Sequence, residues 1–268
     1  MIKEKYKVSV VIPAKNRIPF LKEALRSVYK QSANVNMEVI VVDDLSDISI
    51  ERNLKKLFPK VKFLLNNKKI HGPGAARNIG LNNSTGDYVA FLDSDDVWDK
   101  DFLAESLKIL IKKKCVATVC MTDPFFYGSF SLFRRYKLLF LNFIRLMSLK
   151  ISFFLNNGYL PRSAFYLCQL SHMLFSKTSL RGVRFNEESI AAEDWEFNLK
   201  VGLKGKTFIV NKKLVKFRYT MTSTTLDRKL IAKKRNTYIA LTRKIPLIYR
   251  HDIFYYLFLS YIHLFLVK

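Results

Sequence analysis

The sequence predicts an α/β fold, with a mainly parallel sheet flanked by helices. In the first hundred residues, four short apolar runs, the first of them dense in β-branched residues, alternate with segments of helical periodicity, which is the order of βαβ units. Turn residues or carboxylates follow each run, as expected where a strand leaves a sheet. The chain has 268 residues, of which 49% are hydrophobic, enough for one large domain with an appendage. In such a fold, ligands bind at the carboxyl ends of the strands.

Hydrophobic periodicity assigns the elements in chain order. Runs of β-branched residues predict strands, and apolar residues recurring every three or four positions after a turn or cap predict helices. The predicted strands are residues 7–12, 37–42, 61–65, 88–92, 116–121, 172–175 and 213–219. The predicted helices are residues 19–31, a segment after Ser46 and Asp47 that continues to residue 58, residues 75–83, residues 98–113, and one that begins near Asp194.

Three carboxylates, Asp93, Asp95 and Asp96, follow the fourth predicted strand directly. Period-2 geometry would put Asp93 and Asp95 on one side of an extended segment, where their repulsion is unfavourable unless a divalent cation or hydrogen-bond donors lie between them. Carboxylate oxygens suit Mg²⁺ or Mn²⁺, and these ions commonly bridge phosphates. The alternative is that Asp96 and Asp99 only favour the start of the next helix. Because capping needs one acid and not three, we favour a metal site.

Charged residues follow other predicted strands as well. Asp44 ends the second strand, and Lys15 and Arg17 follow the first. Carboxylates for a metal and a ribose, beside cations for phosphate, predict a nucleotide site at the strand ends. The segment 71–77 adds glycines that allow close backbone approach and an arginine, Arg77, that can reach a diphosphate. It is not a dinucleotide fingerprint, because it follows the third strand and has Arg77 in place of a third glycine.

A second candidate chemical site is the acidic segment around Asp194. A helix that begins near Asp194 would hold its carboxylate at the positive end of the helix dipole, partly shielded by Trp195. A general base has this kind of environment. An ordinary acidic residue in the first turn of a helix has it too, so this segment alone leaves both interpretations open.

The charge of the chain is strongly and unevenly basic. The net charge is +24, with about +5 in residues 1–100 and about +19 in the rest. Between residues 124 and 186 there is no acidic residue, and nine Arg or Lys are interleaved with aromatic and leucine side chains. This mixture fits an anionic membrane surface better than a nucleic-acid groove. No sequence pattern of a nucleic-acid-binding motif is present, so we expect no nucleic-acid partner.

Residues 125–155 predict a helix with a narrow polar stripe, formed by Arg134, Arg145, Ser148 and Ser152. It is either a core helix with one wet edge or an interfacial helix on a bilayer. Residues 228–244 predict a basic helix, and the apolar run 253–267 is too short to span a bilayer comfortably, which takes about 20 residues. That run is expected to adsorb to a membrane or dock on the protein.

The cysteines and the chain start predict a cytoplasmic protein. Cys115, Cys120 and Cys168 follow neither a metal-site spacing nor an even disulfide framework. No signal peptide precedes the first strand. Together with the basic aromatic segment, this predicts a peripheral location at the inner face of the cell membrane.

Five motifs stand in a specific order along the chain. They are Val-Ser-Val-Val-Ile-Pro at 8–13 with Asn16 and Arg17, Glu-Val-Ile-Val-Val-Asp-Asp at 38–44 with Ser46, Gly-Ala-Ala-Arg-Asn at 74–78, Asp-Ser-Asp at 93–95, and Glu-Asp at 193–194. Together they resemble the family 2 glycosyltransferases, which are nucleotide-sugar enzymes of the GT-A fold. The resemblance covers residues 8–99 most fully and residues 175–225 less so.

The resemblance implies a role for each matching residue. Asp44 would contact the nucleotide base, Asp93 would meet the ribose, and Asp95 together with Asp93 would hold a divalent metal, Mn or Mg. The implied donor-binding residues are Pro13, Ala14, Lys15, Arg17, Asp44, Arg77, Asp93 and Ser94. Asp194 is the implied catalytic base, with Glu193 and Trp195 on the acceptor side.

The reaction implied by the resemblance is inverting transfer of one hexose. The donor is a nucleoside-diphosphate sugar, uridine-linked, and the basic aromatic half favours a glycan or lipid-linked acceptor. Two departures stand out: Lys15 replaces a common tyrosine, and Arg218 is followed by Tyr219 and Thr220, so the usual histidine metal ligand is missing. The Gln-X-X-Arg-Trp signature of processive polymerases is also not found, which predicts non-processive transfer.

The predicted domain division is a glycosyltransferase domain at 1–225, with an insert at about 124–160, and a basic, hydrophobic helical segment at 226–268. The missing histidine leaves open a catalytically idle, membrane-associated binding protein of the same fold. A sugar-phosphate nucleotidyltransferase is disfavoured, because residues 13–17 contain no glycine for a phosphate loop.

Overall fold

The computed structural model describes residues 6–161, 164, 168–189 and 192–221, and the single positions 237, 240 and 243. The predicted helix at 228–244 and the apolar run at 253–267 lie outside these residues, apart from those three positions. The strands are β1 (Lys7–Ala14), β2 (Asn36–Asp43), β3 (Val61–Leu65), β4 (Tyr88–Phe91), β5 (Val97–Trp98), β6 (Ala117–Phe126), β7 (Tyr159–Leu160), β8 (Met173–Ser176) and β9 (Thr207–Tyr219). The helices are α1 (Ile18–Tyr29), α2 (Ile50–Leu54), α3 (Pro73–Asn82), α4 (Phe102–Lys113), α5 (Leu132–Leu155) and α6 (Glu193–Gly202).

The strands form one mixed sheet in the order β3-β2-β1-β4-β8-β6-β9-β5, and β7 pairs with β9. The first four strands in this order are mutually parallel. Beyond them, β8 runs antiparallel to both β4 and β6, while β6 and β9 are parallel. The predicted α/β fold with a central sheet is therefore confirmed. Because β1, β2 and β4 are parallel, their carboxyl ends meet at one edge of the sheet.

The sheet is covered on both faces by apolar clusters. One cluster joins β1 and β2 to α1 and α4, with Leu25 and Phe102 fully buried. The other is centred on Phe91, whose ring makes edge contacts with Phe175 and Phe197. α3 lies against β1 through a glycine: a Cβ on Gly80 would be 2.2 Å from a Val11 methyl carbon. This close approach fixes the position of α3, which carries Arg77.

Two local predictions were wrong. Trp98 does not begin a helix, because it pairs with Val215 in a short strand and its indole donates to the Ser171 carbonyl at 2.8 Å. α4 starts at Phe102 instead. The acidic run is not extended either: β4 ends at Phe91, and the Asp96 amide donates to the Asp93 carbonyl at 3.0 Å, which closes a turn. The argument that alternation places Asp93 and Asp95 on one side therefore fails.

The helix of the insert, α5, packs on the domain with its polar stripe inward. Ser148 and Ser152 are buried, and Thr122 of β6 donates to the Asn142 side chain at 3.2 Å. Leu149 joins the cluster around Phe91. The interpretation of this helix as a core helix with a wet polar edge is wrong, because the polar edge is the buried one.

Candidate active site

The turn after β4 carries the carboxylates of the predicted metal site. Asp93, Ser94, Asp95 and Asp96 follow the carboxyl end of the strand, and the amide of Asp93 donates to the Ser171 hydroxyl at 3.0 Å. Asp96 is 1% exposed and accepts from the Arg218 amide at 3.2 Å. Burial raises the pKa of Asp96 well above its ordinary value, and repulsion from Asp95 and Asp93 raises it further. The turn therefore concentrates acid in a low-dielectric setting.

Arg218 of β9 holds this turn in place. Its Nε donates to the Asp95 carbonyl at 2.8 Å, and its guanidinium pairs with Glu23 of α1. The guanidinium carbon also lies 4.5 Å from the ring centres of both Phe20 and Phe125, a cation–π arrangement. In the sequence, Arg218 marks only the place after which a histidine metal ligand is missing. Its strand pattern gave no sign that it supports the acidic turn.

The loop after β1 contributes a cation to the same edge. Arg17 pairs with the carboxylate of Asp95, whereas Lys15 is exposed and Pro13 and Ala14 are buried at the end of β1. Burial raises the pKa of Asp95; the charge of Arg17 opposes this rise and the charge of Asp93 adds to it. A carboxylate in this position is stabilised by a positive partner, and here that partner is Arg17.

Arg77 brings the two predicted chemical sites together. Its buried guanidinium donates to Asp93 at 2.7 Å and to Glu193 at 2.9 Å. Burial alone would lower the pKa of Arg77, but the charges of Asp93 and Glu193 raise it above its ordinary value. The acidic turn after β4 and the first turn of α6 are therefore within the span of a single side chain.

Asp194 lies in the first turn of α6 beside this arrangement. The residue at the N-cap position is Ala192, in the left-handed region with φ of 63°, and it makes no side-chain cap. The Asp194 carboxylate accepts from the Trp195 amide at 3.0 Å, and its charge contributes to the raised pKa of Arg77. Trp195 itself packs against the core cluster around Phe91. Asp194 is thus partly buried and within electrostatic reach of Arg77.

The Asp44 carboxylate accepts three hydrogen bonds that hold together the turn before α3. It accepts from Asn66 at 2.6 Å, from the Gly72 amide at 2.8 Å and from His71 at 3.2 Å. Gly72 has φ of 121°, a conformation that favours glycine. Because α3 begins directly after this turn, Asp44 helps to set where Arg77 lies. Asp44 was expected at the nucleotide base, and no local sequence pattern indicated these three hydrogen bonds.

The carboxylates of the turn fit a divalent cation that shares its coordination with a ligand. In the part of the chain that the structure describes, no cluster of three or more His, Cys, Asp or Glu side chains could hold a metal alone. Asp93 and Asp95 offer hard oxygen donors of the kind that Mg²⁺ and Mn²⁺ take. The Arg17 guanidinium against Asp95 shows that this position already accepts positive charge. A diphosphate and water would have to supply the remaining ligands.

The fold and this edge define an α/β protein whose ligand site lies at the carboxyl ends of parallel strands. Residues 9–180 match the family model described as "Glycosyl transferase family 2". The chain belongs to glycosyl transferase family 2. The predicted family and its fold are therefore confirmed.

Similar proteins extend this finding in sequence and in structure. The chain is 36% identical over 110 residues to a GalNAc(5)-diNAcBac-PP-undecaprenol beta-1,3-glucosyltransferase of Campylobacter jejuni, an alignment that covers 40% of this chain and 34% of that protein. Across the curated relatives that it matches best, the aligned part spans 15% to 45% of the relative's own length.

Two solved structures share the fold. One is S. aureus TarS 1-349 in complex with UDP-GlcNAc, with a TM-score of 0.68 and 18% identity, covering 94% of this chain and 71% of that one. The other is a mannosyltransferase from Pyrobaculum calidifontis in complex with GDP-Man and Mn²⁺, with a TM-score of 0.68 and 19% identity. The match covers 98% of this chain and 73% of that one.

Proposed function

We propose that this protein is an inverting glycosyltransferase that moves one sugar from a nucleoside-diphosphate sugar, uridine-linked, to a glycan or lipid-linked acceptor. The observation that carries the proposal is the pairing of Arg77 with both Asp93 and Glu193. It gathers an acidic turn for the donor and an acidic helix end for the acceptor around one cleft. Family membership and a fold shared with proteins that bind UDP-GlcNAc and GDP-Man support the same assignment.

On the donor side, Asp93 receives the ribose and Asp44 lies near the base. Arg77 and Arg17 supply positive charge for the diphosphate, with Lys15 on the same loop. A divalent ion held by Asp95, with Asp93, would neutralise the charge that builds on the departing diphosphate. Arg17 must then release the Asp95 carboxylate, and the diphosphate is the anion that draws it away. Pro13, Ala14 and Ser94 shape the backbone around the donor.

On the acceptor side, Asp194 is the general base. It takes the proton of the acceptor hydroxyl as that oxygen attacks the anomeric carbon, while the bond to the diphosphate breaks on the opposite face. The configuration at the anomeric carbon is therefore inverted. Glu193 holds Arg77 in place, and Trp195 borders the acceptor. A base in the first turn of a helix, partly buried, can be tuned for this proton transfer.

The acceptor is proposed to be at the cytoplasmic membrane face. The Campylobacter relative is named for a polyprenol-linked acceptor. Two further features favour a lipid-linked acceptor: the net charge of +24, and a stretch between residues 124 and 186 that has no acid. The proposed division into a domain at 1–225 and a basic segment at 226–268 fits this location.

A panel of nucleotide sugars tests the donor assignment. The purified chain with Mn²⁺ is heated with each candidate, and the release of nucleoside diphosphate is measured in parallel. A donor at 100 times its dissociation constant adds about 2.7 kcal/mol to the stability, and so raises the Tm. Uridine-linked hexoses are expected to raise the Tm and to be turned over. If no nucleotide sugar raises the Tm or releases diphosphate, the proposal fails.

A catalytically idle binding protein of the same fold is the second candidate. Two observations favour it. Arginines already neutralise the acids, with Arg17 on Asp95 and Arg77 on Asp93, and the position two residues after Arg218 is Thr220 and not a histidine. Such a protein would show a Tm shift with a nucleotide sugar but no diphosphate release with any metal or acceptor. The two readouts of the panel therefore separate the candidates.

A further inference from the structure

α5 presents an apolar face to solvent and its polar stripe to the protein. Phe133 is 78% exposed, Phe143 56% and Phe154 72%. Large apolar side chains are exposed to solvent along the whole helix. They are Leu132, Phe133, Tyr136, Leu139, Phe140, Phe143, Met147, Ile151, Phe154 and Leu155. Monomeric soluble proteins rarely expose a contiguous apolar surface of this size, and such surfaces mark protein or membrane contacts. We call this set the outer face of α5.

The outer face is one continuous surface. Positions 133, 136, 140, 143, 147, 151 and 154 recur every three or four residues, so they lie on one side of a helix that turns about 100° per residue. A helix of 24 residues is roughly 36 Å long. By length and composition α5 could cross a membrane. The contacts on its inner side decide between crossing a bilayer and lying on it.

The inner side fastens α5 to the domain. Arg145 donates to the His172 ring at 2.7 Å and to Gln169 at 3.1 Å. Asn142 bonds to Thr122, and Ser148 is buried. A helix that left the domain for the bilayer core would take Arg145 and Asn142 away from these partners, at about 1–3 kcal/mol for each polar group left unpaired in lipid. α5 therefore stays on the sheet, and only its outer face is available to lipid.

The charges around the outer face select an anionic surface. Arg135 and Lys150 are exposed, and Lys137 is partly buried. At 100° per residue, Lys137 and Lys150 border the outer face on opposite sides. No acid occurs from residue 124 to residue 186. A second copy of this chain would bring like charges together, whereas anionic headgroups neutralise these cations.

We propose that the outer face of α5 seats in the headgroup region of an anionic bilayer. Aromatic side chains with flanking Lys or Arg are typical of helices that lie in this interface. The segment before α5 reaches the side chains that support the acidic turn: the ring of Tyr127 lies 4.8 Å from that of Phe20, beside Arg218. Membrane contact by α5 deepens the proposed acceptor side, although lipid binding itself does not depend on catalysis.

Vesicle co-sedimentation of the full chain tests the surface. The vesicles are phosphatidylcholine alone, or phosphatidylcholine with phosphatidylglycerol at 7:3, at low salt and in 0.5 M NaCl. Wild type should bind the anionic vesicles at least tenfold more tightly than the neutral ones, and lose most of that binding at high salt. Phe143→Glu should weaken binding at least tenfold. The matched control is Leu57→Glu, at a position with 54% exposure against 56%, and it should change binding less than twofold.

Three outcomes overturn the proposal. Equal binding by Phe143→Glu and wild type would assign membrane contact to another part of the chain, such as the apolar run 253–267. The second is no binding by wild type at low salt. The third is a dimer in light scattering that Phe143→Glu abolishes, which would make the outer face an interface between copies.

A tryptophan placed on the helix keeps the test valid if the charged variant fails to fold. Relative to wild type, which contains Trp98 and Trp195, Phe143→Trp should add a blue-shifted emission with anionic vesicles and quenching by brominated lipid, while Leu57→Trp should add neither. A Phe143→Trp signal that does not move on vesicles to which the chain binds would refute the docking surface. Diphosphate release by the same variants with a soluble acceptor is measured separately. Loss of lipid binding with retained turnover would leave the proposed function intact.

Discussion

Arg77 and Glu193 are joined by an ion pair of 2.9 Å across 116 positions of the chain. The same guanidinium is bonded to Asp93 at 2.7 Å. Two acids from distant segments therefore depend on one buried cation for their compensation. Because Arg77 bridges the acidic turn after β4 and the first turn of α6, this side chain sets the distance between those two segments.

Replacing Arg77 should destabilise the fold strongly. Arg77→Met leaves Asp93 and Glu193 without their buried partner, and breaking such a pair costs about 3–5 kcal/mol. Urea unfolding measures the loss. Adding Glu193→Gln to Arg77→Met should restore part of the stability, since one uncompensated charge is removed. Simple additivity of the two single changes would contradict a direct coupling.

Asp194→Asn should abolish turnover and leave donor binding unchanged. An amide cannot accept the proton of the acceptor hydroxyl, and a general base contributes about 10²–10⁴ to the rate. The measurement is kcat for sugar transfer beside the Tm shift with donor. Glu196→Gln is the control, since Glu196 lies on the same helix and pairs with Lys200. Retained turnover in Asp194→Asn would refute this assignment.

Metal dependence should follow Asp95. Chelation by EDTA should stop transfer, and Mn²⁺ or Mg²⁺ should restore it, because a divalent ion neutralises charge on the departing diphosphate. Asp95→Asn should lower activity and remove the response to added metal. Asp99→Asn is the control, at an exposed acid outside the turn. A fully active and metal-responsive Asp95→Asn would exclude Asp95 as a ligand.

His172 should contribute a loss of stability on mild acidification. Burial, and then the charge of Arg145, lower the pKa of His172 well below its ordinary 6.5. Arginine can only donate, so the ring nitrogen that faces Arg145 must accept, and the imidazole is neutral. Below pH 6.5 the unfolded chain binds a proton that the folded chain does not. The contribution of His172 to the free energy of unfolding therefore decreases as the pH falls, by up to about 1.4 kcal/mol per pH unit.

His172→Gln isolates this effect. Glutamine can accept a hydrogen bond from Arg145 but does not titrate. The stability of the His172→Gln variant relative to wild type should therefore rise as the pH goes from 7.5 to 5. The buried carboxylates Asp95 and Asp96 act in the opposite direction, and they are common to both proteins. A difference in stability that does not change with pH would show that His172 keeps an ordinary pKa.

The first half of the fold was predictable because its signals are local. The apolar runs of β1, β2 and β4 and the helical periods between them fix a parallel order, and the acids at the strand ends then share one edge. The short strand at Trp98 was not predictable, since its pairing with Val215 depends on a strand more than a hundred positions later. The local sequence gives little indication of strand pairings between residues that are far apart in the chain.

In the site, residue types were predictable and their partners were not. Sequence spacing identified Arg77 and Asp93, but the bond from Arg77 to Glu193 and the support of Asp95 by Arg218 arise only from tertiary packing. For α5, periodicity detected the stripe that contains Ser148 and Ser152 but not its direction. The periodicity of polar and apolar residues shows which side of the helix is polar. It does not show which side is buried, because that depends on the sheet against which the helix packs.

The contacts of Arg145, Asn142 and Ser148 hold α5 on the domain, and this affects how the protein would reach the proposed bilayer. No segment of α5 has to fold on arrival, so no ordering entropy opposes capture. Encounter rates should then be set by diffusion and ionic strength, without a slow conformational phase. The same rigidity keeps the ten large apolar side chains of the outer face exposed to water when no lipid is present. The purified chain should therefore adhere to surfaces, and it should stay in solution best in mild detergent.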